Sequence, residues 1–251
     1  MATFIIQGQR QLSGEIRVGG AKNSALKIIP AAVLSSEPLI ISNLPEIEDT
    51  KRSLEVFKSL GGTVETSGDT ATLQLENVNQ PVLEPTLANK FRASIMFAGP
   101  LLARYGEVTF PHPGGCVIGA GTRPIDLFLE GFKALGAEIT IKDDNYHLTA
   151  KRLKGASYFF TIVSVTGTES LMMTAVLAEG VTTLQNCALE PEIVELANYL
   201  NSVGADISGA GTPTIVIRGV KKIKGGSFRI MPDRIETGTF AIMAAATRSP
   251  L

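Results

Sequence analysis

The sequence predicts an α/β or α+β fold built from repeated strand–helix units. A pattern of helical periodicity, glycine and β-branched strand recurs about every seventy residues along the 251-residue chain. The glycines of the three copies are Gly61, Gly136 and Gly204. Glycine commonly follows the end of a helix because it adopts the left-handed conformation. No strand pattern leads into G-x-G-x-x-G, so a dinucleotide-binding doubly wound sheet is disfavoured.

A second pattern, an apolar helix followed by a break and a short strand, precedes each glycine-ended segment. The two patterns occupy 29–45 and 53–65, then 98–115 and 127–140, then 173–191 and 195–208. Each unit therefore gives roughly strand–helix–strand–helix–strand, and we expect three units to close around a shared helical core.

The two ends of the chain do not fit the repeat. A strand pair is predicted within 4–18, and a helix is predicted over about 239–247. We divide the chain into N-terminal strands that belong to a second domain (1–19), a three-repeat substrate-binding domain (20–227) and the start of the second domain (228–251). The ends are expected to pack together, as parts of a longer protein of which this chain is a fragment.

Composition excludes several classes of protein. The 44% hydrophobic and 19% charged residues are typical of a globular chain, and no apolar run approaches the roughly 18 residues of a membrane helix. Lys and Arg (23) balance Asp and Glu (24), so no nucleic-acid or membrane partner is expected. The two cysteines form no zinc or disulfide pattern, and no metal or cofactor is predicted. The N-terminus lacks a signal peptide, so we predict a cytoplasmic protein.

The middle unit contains extra residues in a glycine-rich loop. Leu102 and Gly136 lie 34 residues apart, whereas the equivalent positions of the other units lie 27 apart. The added length falls on PHPGGCVIGAGTRP, which contains Cys116 and Arg123. A thiol near cations can serve as a nucleophile or an acid, and the alternative is a small buried apolar residue. Its place in the one longer loop favours function, whereas Cys187 is interpreted as structural.

Three predicted helix starts are candidates for binding an anion. GGAKNSALKI places Lys22 at the first start, NKFRASIMFAGP places Arg92 at the second, and VSVTGTES forms a third that is rich in hydroxyls. A single such arginine or lysine is more often a solvated surface charge. If the units are related by rotation, however, the three starts point the same way and predict a cationic pocket for a polyanionic small molecule.

Five motifs together resemble one family, the bacterial UDP-N-acetylglucosamine 1-carboxyvinyltransferases. They are GGAKNSAL, FRASI…GPLLARYG, PGGC…RPIDL, EPEIVELANYLNSVGA and PDRIETGTF. The resemblance covers essentially the whole chain and implies an inside-out α/β barrel of repeated strand–helix units, with one domain nearly complete and the second only begun. It also implies a cytosolic enzyme that transfers the enolpyruvyl group of phosphoenolpyruvate to the 3-hydroxyl of UDP-N-acetylglucosamine and releases phosphate.

That reaction is the first committed step of peptidoglycan synthesis, so the resemblance also implies roles in cell-wall biogenesis, cell shape, cell division and the cell cycle. Cys116 resembles the family's proton-donating cysteine, which fosfomycin-type antibiotics alkylate. Lys22 and Arg123 resemble contacts to the phosphate of phosphoenolpyruvate. Asn23 and Arg92 resemble contacts to the sugar nucleotide. The resemblance assigns its diphosphate to Ser164 and Val165, and its uridine to Arg123, Pro124, Ile125, Asp126 and Leu127.

Two alternative functions stay open at this point. One is a catalytically inactive fragment that binds a UDP-sugar, and the other is a relative of the shikimate-phosphate enolpyruvyl transferases. The apolar face of the last predicted helix, Phe240, Ile242 and Met243, also predicts self-association if this chain leaves it exposed.

Overall fold

The computed structural model describes residues 3–5, 7–8, 11–112 and 125–250, and it confirms three repeated units. The first unit comprises α1 (Lys22–Ala31), a 3₁₀ turn (Ala32–Leu34), β1 (Leu39–Ser42), α2 (Glu48–Ser59), β2 (Thr63–Ser67) and β3 (Thr70–Gln74). The second comprises α3 (Pro85–Ala88), a 3₁₀ segment (Arg92–Phe97), α4 (Ala98–Tyr105), β4 (Glu107–Pro111), α5 (Asp126–Ala134), β5 (Glu138–Lys142) and β6 (Asn145–Thr149). Strand β7 (Ser157–Phe159) leads from the second unit into the third, which comprises α6 (Val165–Ala175), β8 (Val181–Gln185), α7 (Pro191–Ser202), β9 (Asp206–Ser208) and β10 (Thr214–Arg218). The third unit is followed by β11 (Gly226–Arg229) and α8 (Arg234–Thr247).

Three small sheets are joined into a ring by parallel contacts between units. Their strand orders are β11-β1-β3-β2, β4-β6-β5 and β7-β8-β10-β9. Within each sheet the unit's own strands pair antiparallel, whereas β7 joins β8 and β11 joins β1 in parallel. A parallel bridge between Val82 and Thr109 makes the equivalent contact between the first and second units. Because β11 returns to β1, the three units close on themselves, as the repeat predicts.

The helices that begin the units form the centre of this ring. Helix α1 buries every residue from Ser24 to Ala31, and α6 buries every residue from Gly167 to Ala175. A helix that is buried on all sides belongs to the interior of a domain. Helices α2, α5 and α7 instead bury one face each, with Phe57, Phe132 and Leu200 fully inside. Helices therefore lie inside and sheets outside, which confirms the predicted inside-out arrangement.

The predicted glycine positions end the outer helices. Gly61, Gly136 and Gly204 have φ values of +96°, +94° and +109°. Each donates its backbone N–H to a carbonyl in the last turn, at 2.9 to 3.2 Å, and so satisfies a carbonyl that has no partner in the helix. An L side chain is strained at these angles, which explains why glycine recurs at these three positions.

The two ends of the described chain lie side by side. The carbonyl of Gly19 accepts a bond of 2.9 Å from the Asp233 N–H, and the Gly19 N–H donates one of 2.7 Å to Glu236. The described residues of 4–18 form no strand, which corrects the predicted strand pair. Leu12 donates its N–H to the Ser249 hydroxyl rather than to a strand carbonyl, so no ladder forms there. The division at residues 19 and 227 stays a prediction.

The last helix begins five residues before the predicted start. The Asp233 carboxylate accepts hydrogen bonds from the N–H groups of Ile235 and Glu236, at 2.8 and 3.1 Å, so α8 begins at Arg234. Such an aspartate cap satisfies helix N–H groups that otherwise lack a partner. None of the residues of α8 is buried.

Candidate functional site

A cavity of about 360 Å³ opens where the central helices begin, and we call it the main cavity. Residues from all three units form its wall. They are Lys22, Asn23, Leu26 and Lys27 of α1, Asp49 of α2, Lys90–Ala93, Ile95 and Met96 around the 3₁₀ segment, Phe128 of α5 and Thr166 of α6. The predicted convergence of three helix starts on one pocket is therefore present in the structure.

Lys22 lies at the mouth of the main cavity, with its side chain about half exposed. Its ammonium forms an ion pair with the Asp49 carboxylate from α2, and its backbone N–H donates a 3.1 Å hydrogen bond to Asp233. The lysine is therefore held from two directions, through its side chain and through its main chain. Asp49 provides the opposite charge beside Lys22.

Asn23 and Arg92 share this cavity, although they come from different units. Arg92 begins the 3₁₀ segment immediately after the buried Phe91. The Ser94 hydroxyl donates to the carbonyls of Ala88 and Phe91, at 2.9 Å each, which holds the turn that presents Arg92. Lys90, which precedes that turn, also lines the cavity and was not predicted as a site residue.

The third helix start contributes through a residue next to the predicted ones. Ser164 caps α6 by accepting the Gly167 N–H at 3.1 Å, and Val165 is the first helical residue. Neither is among the residues that line the main cavity, whereas Thr166 is. Ser164 thus orients the helix start, and Thr166 is the residue of this start that lines the cavity.

The segment predicted to contact uridine begins helix α5. Ile125 is buried, Asp126 is exposed, and the Leu127 carbonyl accepts a 3.1 Å bond from the Tyr158 hydroxyl. None of the three lines the main cavity, but the next residue, Phe128, does. The structure therefore places this segment beside the cavity rather than in its wall.

The predicted loop residues Cys116, Arg123 and Pro124 lie outside the described residues. The other cysteine, Cys187, is buried, and burial raises the pKa of its thiol to about 11. A thiol that remains protonated in the core is a poor nucleophile. The interpretation of Cys187 as structural is confirmed.

A buried ion pair that sequence reasoning missed lies at the floor of the main cavity. The Lys27 ammonium lies 3.2 Å from the Glu169 carboxylate, and the side chains are 6% and 0% exposed. Burial raises the pKa of Glu169 to about 7, which Lys27 partly opposes. A sequence signal existed, because each is a single charge within an apolar helical run, and such charges are rarely buried unless paired.

The charge of the main cavity suits an anion. Among the residues described, four cations line it (Lys22, Lys27, Lys90 and Arg92), together with one carboxylate, Asp49. Backbone N–H groups at the helix starts add partial positive charge. Closely placed cations in a concave site are the usual arrangement for recognising phosphate or carboxylate groups.

Three grooves among the described residues are larger than the main cavity. One, of about 480 Å³, shares Lys22 and Asn23 with it and extends to the start of α8. The other two, of about 610 and about 920 Å³, lie elsewhere and run along residues 102–107 and 149–154. Neither contains a predicted site residue. Arg104 is half-buried and donates to backbone carbonyls. Their other charged side chains are exposed, and one of them, Arg152, pairs with Glu179 at 2.6 Å. We therefore place the candidate site in the smaller main cavity, where the units meet.

Other classes of site find no support in the described part of the chain. Within residues 11–112 and 125–250, no three His, Cys, Asp or Glu side chains are grouped closely enough to hold a metal ion. The helices described there are too short or too polar to cross a membrane.

Comparison with known proteins identifies a family. Residues 6–250 match the family model of EPSP synthase (3-phosphoshikimate 1-carboxyvinyltransferase). UDP-N-acetylglucosamine 1-carboxyvinyltransferase 1 of Carboxydothermus hydrogenoformans is 48% identical over 100% of this chain and 59% of its own length. UDP-N-acetylglucosamine 1-carboxyvinyltransferase 3 of Caldanaerobacter subterraneus is 46% identical over 98% of this chain and 59% of its own length. The chain thus spans about three-fifths of these relatives.

Solved structures share the fold. The enolpyruvyl transferase NikO from Streptomyces tendae superposes with a TM-score of 0.81 and 25% identity, over 94% of this chain and 56% of that one. EPSP synthase from Acinetobacter baumannii superposes with a TM-score of 0.76 and 20% identity, over 96% of this chain and 55% of that one. These likenesses agree with the predicted inside-out barrel.

Proposed function

The chain belongs to the EPSP synthase family, and from that premise we propose that it acts in enolpyruvyl transfer from phosphoenolpyruvate to UDP-N-acetylglucosamine. The observation that carries the proposal is the main cavity, which Lys22 and Asn23 of the first unit and Arg92 of the second line together. Both substrates are polyanions, and a cavity with this charge is suited to them.

The proposed reaction exchanges one C–O bond for another. The 3-hydroxyl oxygen of the sugar forms a bond to C2 of phosphoenolpyruvate, and the bond between C2 and the phosphate oxygen breaks. The hydroxyl proton is lost and inorganic phosphate leaves, so atoms and charge balance without a redox partner. The protein's task is to bring two anions together, to orient them and to supply a proton donor and acceptor.

UDP-N-acetylglucosamine is preferred to shikimate phosphate as the acceptor on the strength of the relatives. Proteins named for the UDP-sugar are 46–48% identical to this chain, whereas the solved EPSP synthase of Acinetobacter baumannii is 20% identical. Competition binding distinguishes the two, because tighter binding of shikimate phosphate would reverse the preference. A sugar-binding protein without turnover is the remaining alternative.

We assign the site residues as follows. Lys22 and Arg123 contact the phosphate of phosphoenolpyruvate, and Cys116 donates a proton to its methylene carbon. The sugar nucleotide is contacted by Asn23 and Arg92, its uridine by Arg123, Pro124, Ile125, Asp126 and Leu127, and its diphosphate by Ser164 and Val165. In support, Lys22, Asn23 and Arg92 line the main cavity, and Ser164 caps the helix whose Thr166 lies in its wall.

The proposed activity places the protein in the cytoplasm, at the first committed step of peptidoglycan synthesis. Through that step it would contribute to cell-wall biogenesis, cell shape and cell division. A fosfomycin-type epoxide would then alkylate Cys116 and abolish turnover.

The direct test is phosphate release from phosphoenolpyruvate, measured with and without UDP-N-acetylglucosamine. We expect release that depends on the sugar nucleotide and is lost in Cys116→Ala. The matched control is Cys187→Ala, which removes the buried thiol and should retain release. Sugar binding without release would instead indicate a binding protein, and release unaffected by Cys116→Ala would remove the cysteine from the mechanism.

A further inference from the structure

Glu169 and Lys27 connect two central helices directly beneath the candidate site. The carboxylate lies on α6 and the ammonium on α1, 3.2 Å apart. Lys27 belongs to the wall of the main cavity, whereas the Glu169 side chain is completely buried behind it. The lysine is therefore the member of the pair that a ligand could approach, and the glutamate is the member that only the protein contacts.

A charge buried to this extent must be compensated. Removing one partner of a buried ion pair leaves the other uncompensated and strongly destabilises the fold. Replacing both partners by apolar residues of similar volume is often neutral. An ion pair that only filled the core could therefore be replaced by two apolar side chains with little change in stability. This one lies at the boundary between the core and a cavity that cationic side chains line.

Among the described residues, the other carboxylates near Glu169 lie on α7, which packs against α6. Glu190 and Glu192, at the start of α7, act on Glu169 with the same sign, and Glu192 is itself paired with Arg234 at 3.0 Å. Glu195, the third of them along the helix, accepts the Met231 N–H at 2.7 Å. Helices α4 and α5 and strand β10 also pack against α6.

The charged side chains on those three elements point elsewhere. Arg104 of α4 donates to backbone carbonyls of the first unit, including that of Val33 at 2.8 Å. Asp126, Glu130 and Lys133 of α5 and Arg218 of β10 are exposed. Lys27 is thus the cation with which Glu169 is paired.

We propose that Glu169 is a positioning residue of the candidate site, which holds the Lys27 ammonium at the floor of the main cavity and cancels its charge. The consequence is selectivity. A paired Lys27 adds little net charge to the floor, and Asp49 likewise offsets Lys22. Among the described residues, the attraction for an anion is therefore stronger toward the second unit, where Lys90 and Arg92 line the cavity, than at the floor. The floor of the main cavity therefore favours an uncharged part of the ligand, such as a sugar ring. This inference rests on the proposed function in taking the ligand to be an anionic sugar nucleotide.

Protonation of Glu169 removes the negative charge that offsets the charge of Lys27. Burial raises the pKa of this carboxyl to about 7, so it gains a proton as the pH falls through neutrality. Lys27 then remains as an uncompensated cation facing the cavity, and anion binding strengthens. A bound anion in turn favours the protonated carboxyl, so binding near pH 7 takes up protons. The diphosphate of UDP-N-acetylglucosamine has no group that titrates near neutrality, so the uptake reports on the protein.

The test is calorimetric titration of the full chain with UDP-N-acetylglucosamine, in buffers of different ionisation enthalpy. For the unmodified chain we expect tighter binding and net proton uptake as the pH falls from about 8 to about 6. Glu169→Gln should bind more tightly at the higher pH, on the order of tenfold for one unpaired charge near the ligand, and should lose the uptake. Adding Lys27→Met to Glu169→Gln should remove that gain.

Glu192→Gln is the matched control, because it removes a buried carboxylate whose cation, Arg234, does not line the main cavity. Because Glu192 raises the pKa of Glu169 through its like charge, proton uptake should persist in this variant and move to lower pH. Unchanged affinity and uptake in Glu169→Gln would overturn the inference, as would equal changes in Glu192→Gln.

A measurement without ligand separates this inference from the proposed function. By urea unfolding at about pH 8, where the Glu169 carboxyl is charged, Lys27→Met should destabilise the chain, and the further change Glu169→Gln should restore much of the loss, because it removes the uncompensated carboxylate. If the double variant is no more stable than the single one, Glu169 does not compensate Lys27, and the inference fails whatever the ligand. If stability is restored but the unmodified chain binds no UDP-N-acetylglucosamine, the ion pair stands, and the proposed substrate and the selectivity drawn from it fail.

Discussion

The Asp233 carboxylate accepts the backbone N–H of Lys22 at 3.1 Å, which joins the start of α1 to the start of α8. The same carboxylate caps α8 through the N–H groups of Ile235 and Glu236. One side chain therefore sets the position of a helix start in the main cavity and begins the last helix.

Two substitutions of Asp233 should separate its role as the cap of α8 from its hydrogen bond with the Lys22 N–H. Asp233→Ala should lose both functions and lower the free energy of unfolding by about 1–2 kcal/mol. Asp233→Asn keeps an oxygen that can cap α8 but loses the negative charge near Lys22, so its stability should fall less. Urea unfolding measures both, with the exposed Asp206→Asn as control. Equal losses in the two Asp233 variants would contradict the separate roles.

Lys22 should contribute to binding of phosphoenolpyruvate. Hydrogen bonds to charged groups contribute about 1.5–3 kcal/mol, so Lys22→Ala should weaken binding by about tenfold or more. Titration calorimetry measures the affinity. Lys51→Ala is the control, because Lys51 is also a surface lysine on an ion pair, 3.6 Å from Glu46, but lies outside the main cavity. Similar losses in the two variants would indicate a general effect of surface charge.

Stability should fall as the pH rises through neutrality. Glu169 has a pKa of about 7 in the folded chain, above its ordinary value of 4.5. The folded state therefore binds more protons than the unfolded state between these values, and the free energy of unfolding decreases with increasing pH. Burial raises the pKa of Glu195 as well, which acts in the same direction.

The measurement is urea unfolding at several pH values between about 5 and about 8. Glu169→Gln should flatten the decrease, whereas substitution of an exposed carboxylate, such as Glu55→Gln, should leave it unchanged. A slope that survives Glu169→Gln would show that other groups produce it.

Helix α8 should promote association between copies of the chain. Ile235 is 55% exposed and Ile242 is 71% exposed, while Phe240 and Met243 are half-buried. Contiguous apolar surface of this kind favours self-association. Sedimentation velocity should show mass that increases with concentration, and Ile242→Lys should reduce the increase. Ile141→Lys is the control, because Ile141 is 68% exposed but lies on β5. A monomer at high concentration would contradict the prediction.

Local patterns in the sequence were sufficient to predict the repeated unit and the residues that end its outer helices. Gly61, Gly136 and Gly204 could be assigned because a residue with positive φ must tolerate that angle by itself, whatever packs around it. The aspartate before α8 was equally local, and it was missed only because the helix was begun at a later residue. Cys116, Arg123 and Pro124 rest on a resemblance and lie outside the described residues, so their roles remain predictions.

The sequence by itself determined the unit of the fold and the residue types at each helix start, because periodicity, capping and glycine conformation act over a few neighbours. Only the tertiary structure decided which of those starts meet. Lys22 and Arg92 share a cavity, and Lys27 finds Glu169, because the ring of sheets closes through β11 and β1. Contacts between distant residues depend on how the units close around their helices, and the spacing of residues along the chain does not carry that information.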